Sequence, residues 1–186
     1  MGIALIVIAV IVILLIVFVI AAYNGMIRSR NKVDEAWSGI DVQLKRRHDL
    51  VPNLVESVKG YASHEKSTFE KVTQARAAAM QASGPEEAGK AETQLTQALG
   101  GLRVVAEQYP ELRATENFQQ LQRQLSELED EIQASRRIYN SNVQQYNTRI
   151  QQFPWSIIAN QGGFTAKTFF EIGDAAEREA PQVSFS

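Results

Sequence analysis

His64-Glu65 opens like the first half of the zinc-protease signature His-Glu-x-x-His, where two imidazoles one helical turn apart hold the metal and the glutamate acts as base. Position 68 is Thr, so the second ligand is missing, and the only other histidine, His48, is remote in sequence. The chain has no cysteine, which excludes thiol nucleophiles, disulfides and thiolate metal sites. Glu127, Glu129, Asp130 and Glu131 form an acidic run. They lack the inward Glu-x-x-His pairs of di-metal bundles, and they read as a solvated helix face. Neither Gly100-Gly101 nor Gly162-Gly163 is followed by Gly-Lys-Ser/Thr, so no phosphate loop is present. No serine sits in a Gly-x-Ser-x-Gly elbow. The expectation is a non-enzymatic protein with no catalytic residue, cofactor or metal. Lys45-Arg46-Arg47-His48 is the best binding candidate; its default reading is a solvated helix face, and the alternative is a dock for a partner's acidic patch. The net charge of −2 with 22% charged residues carries no bias toward nucleic acid.

What must position any site is decided first by residues 3–22, which carry no polar side chain. Twenty helical residues span about 30 Å, the thickness of a bilayer's hydrocarbon core. In lipid every backbone polar group must be satisfied within the segment, so helix prevails over the β preference of its many Ile and Val residues. No Lys or Arg precedes the run, and it exceeds a signal peptide's apolar stretch of about 7–15 residues, so a retained anchor is expected over a cleaved leader. Arg28, Arg30 and Lys32 follow it, and basic flanks stay on the cytoplasmic side. That predicts a single-pass inner-membrane protein with its N-terminus outside and its body in the cytoplasm. Tyr23 falls where aromatic rings favour the headgroup region. Ala21 and Gly25 form a small-xxx-small pair at the very end of the span, which reads as incidental.

Beyond the span the pattern is helical. Phe118, Leu125, Ile132, Tyr139, Tyr146 and Phe153 recur every seven residues. Leu121 and Leu128 fill the alternating position, Ser135 follows, and Val143 and Ile150 shift the stripe by one. One amphipathic helix is predicted from Thr115 to Phe153, and such a stripe requires helical partners. Val33, Trp37, Ile40, Leu44, Val51, Leu54, Val58 and Tyr61 form another stripe that stays in phase across Pro52. Either this helix continues through the proline or Asp49 caps a new one; the phase favours continuity. Gly60 is the expected stop and Ser63 the next cap. A third stretch covers His64 to Ala82. Ser83-Gly84-Pro85 then turns the chain into a helix over Glu86 to Gln108. Gly100-Gly101 inside that helix suggests a close helix crossing, with a hinge as the alternative. Tyr109-Pro110 ends it.

The predicted class is all-α, an N-terminal transmembrane helix followed by a long antiparallel four-helix bundle. The boundaries are a short extracytoplasmic N-terminus at 1–2, the span at 3–23 and the bundle at 24–153. An aromatic segment at 154–173 and an acidic flexible tail at 174–186 follow. An even number of antiparallel helices returns the chain toward the membrane, so Trp155 is expected either at the interface or beneath the bundle core. Phe164, Phe169 and Phe170 lie outside the stripes and are expected to be exposed and to mark a contact surface. A second copy in the same membrane plane is the nearest candidate partner.

Arg30-Asn-Lys-Val-Asp-Glu-Ala-Trp-Ser-Gly-Ile-Asp-Val-Gln-Leu-Lys-Arg-Arg-His-Asp-Leu-Val-Pro-Asn-Leu-Val resembles the LemA family of bacterial membrane proteins. So do Val58-Lys-Gly-Tyr-Ala-Ser-His-Glu, Asn140-Ser-Asn-Val-Gln-Gln-Tyr-Asn, Phe153-Pro and Phe169-Phe-Glu. The resemblance covers nearly the whole chain. It implies a LemA-like four-helix bundle on an N-terminal anchor, brings no catalytic residue with it, and suggests membrane organisation through relatives linked to magnetosome membranes. The functional expectation is a membrane-anchored scaffold that self-associates or docks a cytoplasmic protein; the alternative is an adaptor or sensor relaying a signal to a partner enzyme. Tyr23, Arg28, Arg30, Lys32 and Trp155 are the expected contacts with the lipid bilayer. Asn140, Tyr146, Phe153, Phe164, Phe169 and Phe170 are the expected contacts within a homo-oligomer or with a partner.

Overall fold

In a computed structural model the chain is described over residues 2–173. Met1 and the acidic tail expected at 174–186 lie outside the described residues. The class is all-α, with no strand among the described residues. Six helices follow one another: α1 (Gly2–Lys59), α2 (Lys66–Gln81), α3 (Gly84–Glu107), α4 (Pro110–Ala114), α5 (Glu116–Gln151) and α6 (Trp155–Gln161).

The first helix contains the whole apolar run and continues through Pro52 to Lys59 without a break. The new helix capped by Asp49 is therefore not formed, and Pro52 sits on the exposed face. From Ile3 to Ile20 the large apolar side chains are 40–81% exposed, and this stretch is long and apolar enough to cross a membrane. The helix stops before Gly60, as its sequence suggests, and Tyr61 is exposed beyond the end of the stripe. Ser63 does not cap the next helix. Turn bonds from Tyr61 N to Val58 O (3.0 Å) and Glu65 N to Ala62 O (3.1 Å) carry the chain further, and Glu65 takes the cap position. Pro85 lies in the first turn of α3, whose first-turn acids Glu86 and Glu87 suit the positive end of the helix dipole. Glu87 Oε2 also accepts the Ser83 N–H at 3.0 Å. The short α4 and α6 were not foreseen from the pattern.

Gly100 and Gly101 correct an expectation. Both are exposed, and a Cβ at either would meet no atom within 4 Å. They lie opposite the buried stripe of Leu95, Leu99, Leu102 and Ala106, so no helix crosses closely over them.

The described residues divide into two compact units: residues 2–38 with 137–168, and residues 39–136 with 169–173. In the first, Met26 and Val33 of α1 and Tyr139, Val143 and Tyr146 of α5 are at most 1% exposed. The rings of Trp37 and Tyr139 lie 5.5 Å apart. In the second, one core draws on four long helices: Val51 and Leu54 from α1, Phe69 and Val72 from α2, Leu95 and Leu99 from α3, and Phe118 and Leu121 from α5. Burial of such side chains contributes about 1.5–3 kcal/mol each, and this core holds the polar groups described next.

Candidate functional site

Arg47 occupies a position in the apolar stripe of α1, between Leu44 and Val51. Glu92 does the same in α3, between Ala88 and Leu95. Both face the interior of the second unit at 0% and 1% exposure. Arg47 Nη1 donates to Glu92 Oε2 at 2.9 Å, and Nη2 donates to Thr96 Oγ1 at 2.8 Å and to Glu129 Oε1 at 2.7 Å. His48, 7% exposed, donates from Nε2 to the other Glu92 oxygen at 2.5 Å. The His48 carbonyl accepts from Arg76 Nε at 2.7 Å. A carboxylate only accepts, so with Glu92 ionised the imidazole proton sits on Nε2. Burial, opposed by Arg47 and reinforced by Glu92 and Asp130, pushes the Glu129 carboxyl above its ordinary range. Among the buried side-chain polar atoms of the described residues, Arg47 Nε has no hydrogen-bond partner. A buried charge is costly unless paired and hydrogen-bonded, and these groups use their polar atoms on one another.

The expectation of a solvated Lys45–His48 face is thus corrected for Arg47 and His48, and the acidic run is not simply solvated. Glu129 binds Arg47, and Glu131 Oε2 accepts from Arg46 Nη1 at 2.8 Å. A visible signal for Arg47 and Glu92 existed: the stripes 40-44-47-51-54-58 and 88-92-95-99-102-106 each carry one charged residue in phase. Among the described residues no group of three or more His, Asp or Glu is placed to hold a metal ion.

In the first unit, residues 164–168 run antiparallel to α5. Tyr139 Oη donates to the Thr168 carbonyl at 2.7 Å, and Tyr146 Oη to that of Thr165 at 3.0 Å. Asn147 bonds Lys167 twice, Nδ2 to its carbonyl and Oδ1 from its N–H, both at 2.8 Å. Lys167 Nζ reaches Asp34 at 2.8 Å. Phe164 is held edge-on by Tyr23 at 5.5 Å and covered by the Arg30 guanidinium at 5.6 Å, a cation–π arrangement. In the second unit, the Ile172 carbonyl accepts from Arg136 at 2.9 Å, and Gly173 N donates to Thr93 Oγ1 at 3.1 Å. Gly89 has no Cβ at the point where the Glu171 carbonyl passes; one would overlap it.

These contacts change what the aromatic residues do. Tyr146, Phe164 and Phe170 are 1%, 7% and 0% exposed, so the expectation that Phe164 and Phe170 are exposed is corrected: they fill slots in the chain's own fold. Asn140 is half-buried. Phe153 at 79% and Phe169 at 40% are exposed.

The first unit also holds a groove of about 890 Å³ between α1 and the end of α5. Phe18, Ala21 and Ala22 from the apolar run and Trp155 from α6 line it, together with Arg28, Lys32 and Arg149. Arg149 Nη1 donates to the Gly25 carbonyl at 3.3 Å, and Asn142 Nδ2 to that of Lys32 at 3.3 Å. Of the five residues expected at the membrane surface, Arg28, Lys32 and Trp155 share this groove, while Tyr23 and Arg30 turn to Phe164.

The family model described as LemA family matches residues 36–185. The magnetosome protein MamQ 2 of Paramagnetospirillum magneticum is 27% identical over 181 residues, covering 83% of this chain and 66% of that protein. Protein LemA of Metamycoplasma hominis is 30% identical over 142 residues, covering 74% and 64%. The magnetosome protein MamQ of Magnetospirillum gryphiswaldense is 24% identical over 189 residues, covering 87% and 70%. The chain spans about two thirds of the length of these curated relatives.

Proposed function

The chain belongs to the LemA family, and on that premise we propose that it is a non-enzymatic scaffold, anchored by a single span and organising copies of itself or a partner protein at the membrane. The observation that carries this reading is the shared groove wall of Trp155 with Phe18, Ala21 and Ala22. A tryptophan more than 130 residues along the chain returns to the end of an apolar run that is exposed from Ile3 to Ala21 and buried only at Ala22. Trp belongs at the membrane–water boundary, and Phe153 and Ile157 beside it expose their apolar side chains.

In this reading residues 3–23 span the inner membrane and Arg28, Arg30 and Lys32 keep the body on the cytoplasmic side. The four long helical segments of 24–153 form the bundle. Residues 154–168 leave the membrane surface as part of the first unit, and the aromatic segment ends at 169–173 in the second. Phe153 and Phe169 are the aromatic residues left for contact with a second copy. The organising role follows the theme suggested by relatives named as magnetosome proteins.

The test has two parts. Carbonate washing of vesicles leaves an anchored chain in the pellet; release sinks the anchor. Multi-angle light scattering of detergent-extracted protein gives a discrete oligomer, and a monomer defeats the self-association.

A further inference from the structure

We propose that the groove beside the end of the apolar run binds the phosphate-bearing headgroup of an anionic phospholipid. The inference deepens the membrane reading above and rests on it. Arg28, Lys32 and Arg149 bring three positive charges to the lining, which contains no Asp or Glu. Among the described residues none of the three forms an ion pair, in contrast to Arg46, Arg47 and Lys167 of the same chain. Uncompensated cations that converge on one concave surface favour an anion.

Position decides which anion. Phe18, Ala21 and Ala22 form one end of the groove and belong to the segment that lies in hydrocarbon. Arg28 stands six residues beyond Ala22, about 9 Å along a helix. The headgroup layer occupies about the first 5–8 Å outside the hydrocarbon core, and an arginine side chain easily spans the difference. Lys32 is one turn further and reaches back in the same way. The cluster at Lys45–His48 is not among the residues that line the groove. The groove therefore offers acyl chains an apolar wall and a phosphate a cationic one. Its 890 Å³ falls within the range of about 300–1,000 Å³ typical of ligand pockets. The amides of Asn142, Gln145 and Gln152 also line it, and they supply donors and acceptors for a hydroxylated headgroup such as glycerol. Arg149 is positioned for this by its bond to the Gly25 carbonyl, which spends one of five N–H donors.

The test uses the full chain in uncharged detergent micelles, titrated calorimetrically with three probes: dihexanoyl phosphatidylglycerol, dihexanoyl phosphatidylcholine and inorganic phosphate. Saturable binding of phosphatidylglycerol at least about ten-fold tighter than either other probe is expected, since each basic residue near a lipid surface contributes about 1 kcal/mol. Equal affinity for phosphatidylcholine overturns the proposal. Phosphate binding as tight as phosphatidylglycerol assigns the site to a free anion and overturns it too. Lys32→Gln and Arg149→Gln should each weaken phosphatidylglycerol binding about five-fold, while Lys45→Gln, off the groove, should change nothing. A loss in Lys45→Gln equal to that in Lys32→Gln reveals a diffuse charge effect and overturns the site. If Arg149→Gln unfolds through its lost bond to Gly25, Arg28→Gln replaces it. Carbonate washing separates the two readings: a chain that stays with the membrane but shows no headgroup selectivity defeats this inference alone.

Discussion

Arg47 and Glu92 form an ion pair 2.9 Å long in which each side chain is 1% exposed. Removing one partner strands a charge in the interior, which costs about 3–5 kcal/mol, whereas apolar replacement of both partners is far milder. Glu92→Leu and Arg47→Met should each lower unfolding free energy by about 3 kcal/mol or more, and the double substitution by clearly less than their sum. Denaturant unfolding of the four proteins in detergent measures this. Additive losses would show that the two side chains act independently.

Tyr139 sets an alkaline limit. Burial first, and the charge of Asp34 second, push its phenol up from 10.0 to about 12. A folded-state pKa above the unfolded value means that the folded chain keeps its proton longer. The associated stability is fully present below pH 10 and is lost as pH rises toward 12. Tyr146 shifts in the same direction for the same leading reason. In Tyr139→Phe the alkaline fall of stability between these values should be shallower than in the parent, and the absorbance change of the most alkaline tyrosinate should vanish. An unchanged slope contradicts the assignment.

Asn147 fastens residues 164–168 by mimicking a backbone partner for Lys167, one bond in each direction. Asn147→Ala removes both bonds, worth about 1–3 kcal/mol together. The effect is local: tryptic cleavage after Lys167 should accelerate about ten-fold, in line with a local opening free energy reduced by about 1.4 kcal/mol. A cleavage rate equal to that of the parent would mean that the tyrosine bonds, the Lys167–Asp34 pair and the Phe164 contacts hold the segment without Asn147.

Glycine substitutions should split by sign. Gly100→Ala and Gly101→Ala introduce a methyl into open space on a helix, where Ala is favoured over Gly by about 0.5–1 kcal/mol. Gly89→Ala drives the same methyl into the Glu171 backbone, and overpacking of this kind costs about 1–3 kcal/mol. Thermal unfolding of the three variants should therefore place two above the parent and one below.

Much of the helical content could be read from the chain because it is periodic. Phe118, Leu121, Leu128 and Ile132 occupy the positions that their spacing demands, and the phase across Pro52 foretold one helix. Arg47 and His48 were expected on a solvated face, and Glu92 was not singled out, because charge at a single position reads as surface, while their burial depends on partners 44 and 45 residues away. Only the in-phase position of Arg47 and Glu92 betrays them. Phe164 and Phe170 have no period at all, so nothing local marks the slots they fill. The cationic groove was half visible: Arg28, Lys32 and Trp155 were placed at the membrane surface, but Arg149, distant in sequence, was not joined to them.

The anchor is also a packing element. Tyr23 and Arg30 clasp Phe164, and Met26 beside them is fully enclosed. A soluble version trimmed back to residue 31 would keep most of its helices yet start life with a hole, its Phe164 ring stripped of both neighbours and left facing water. Stickiness in such a trimmed protein would then be a symptom of surgery rather than of biology.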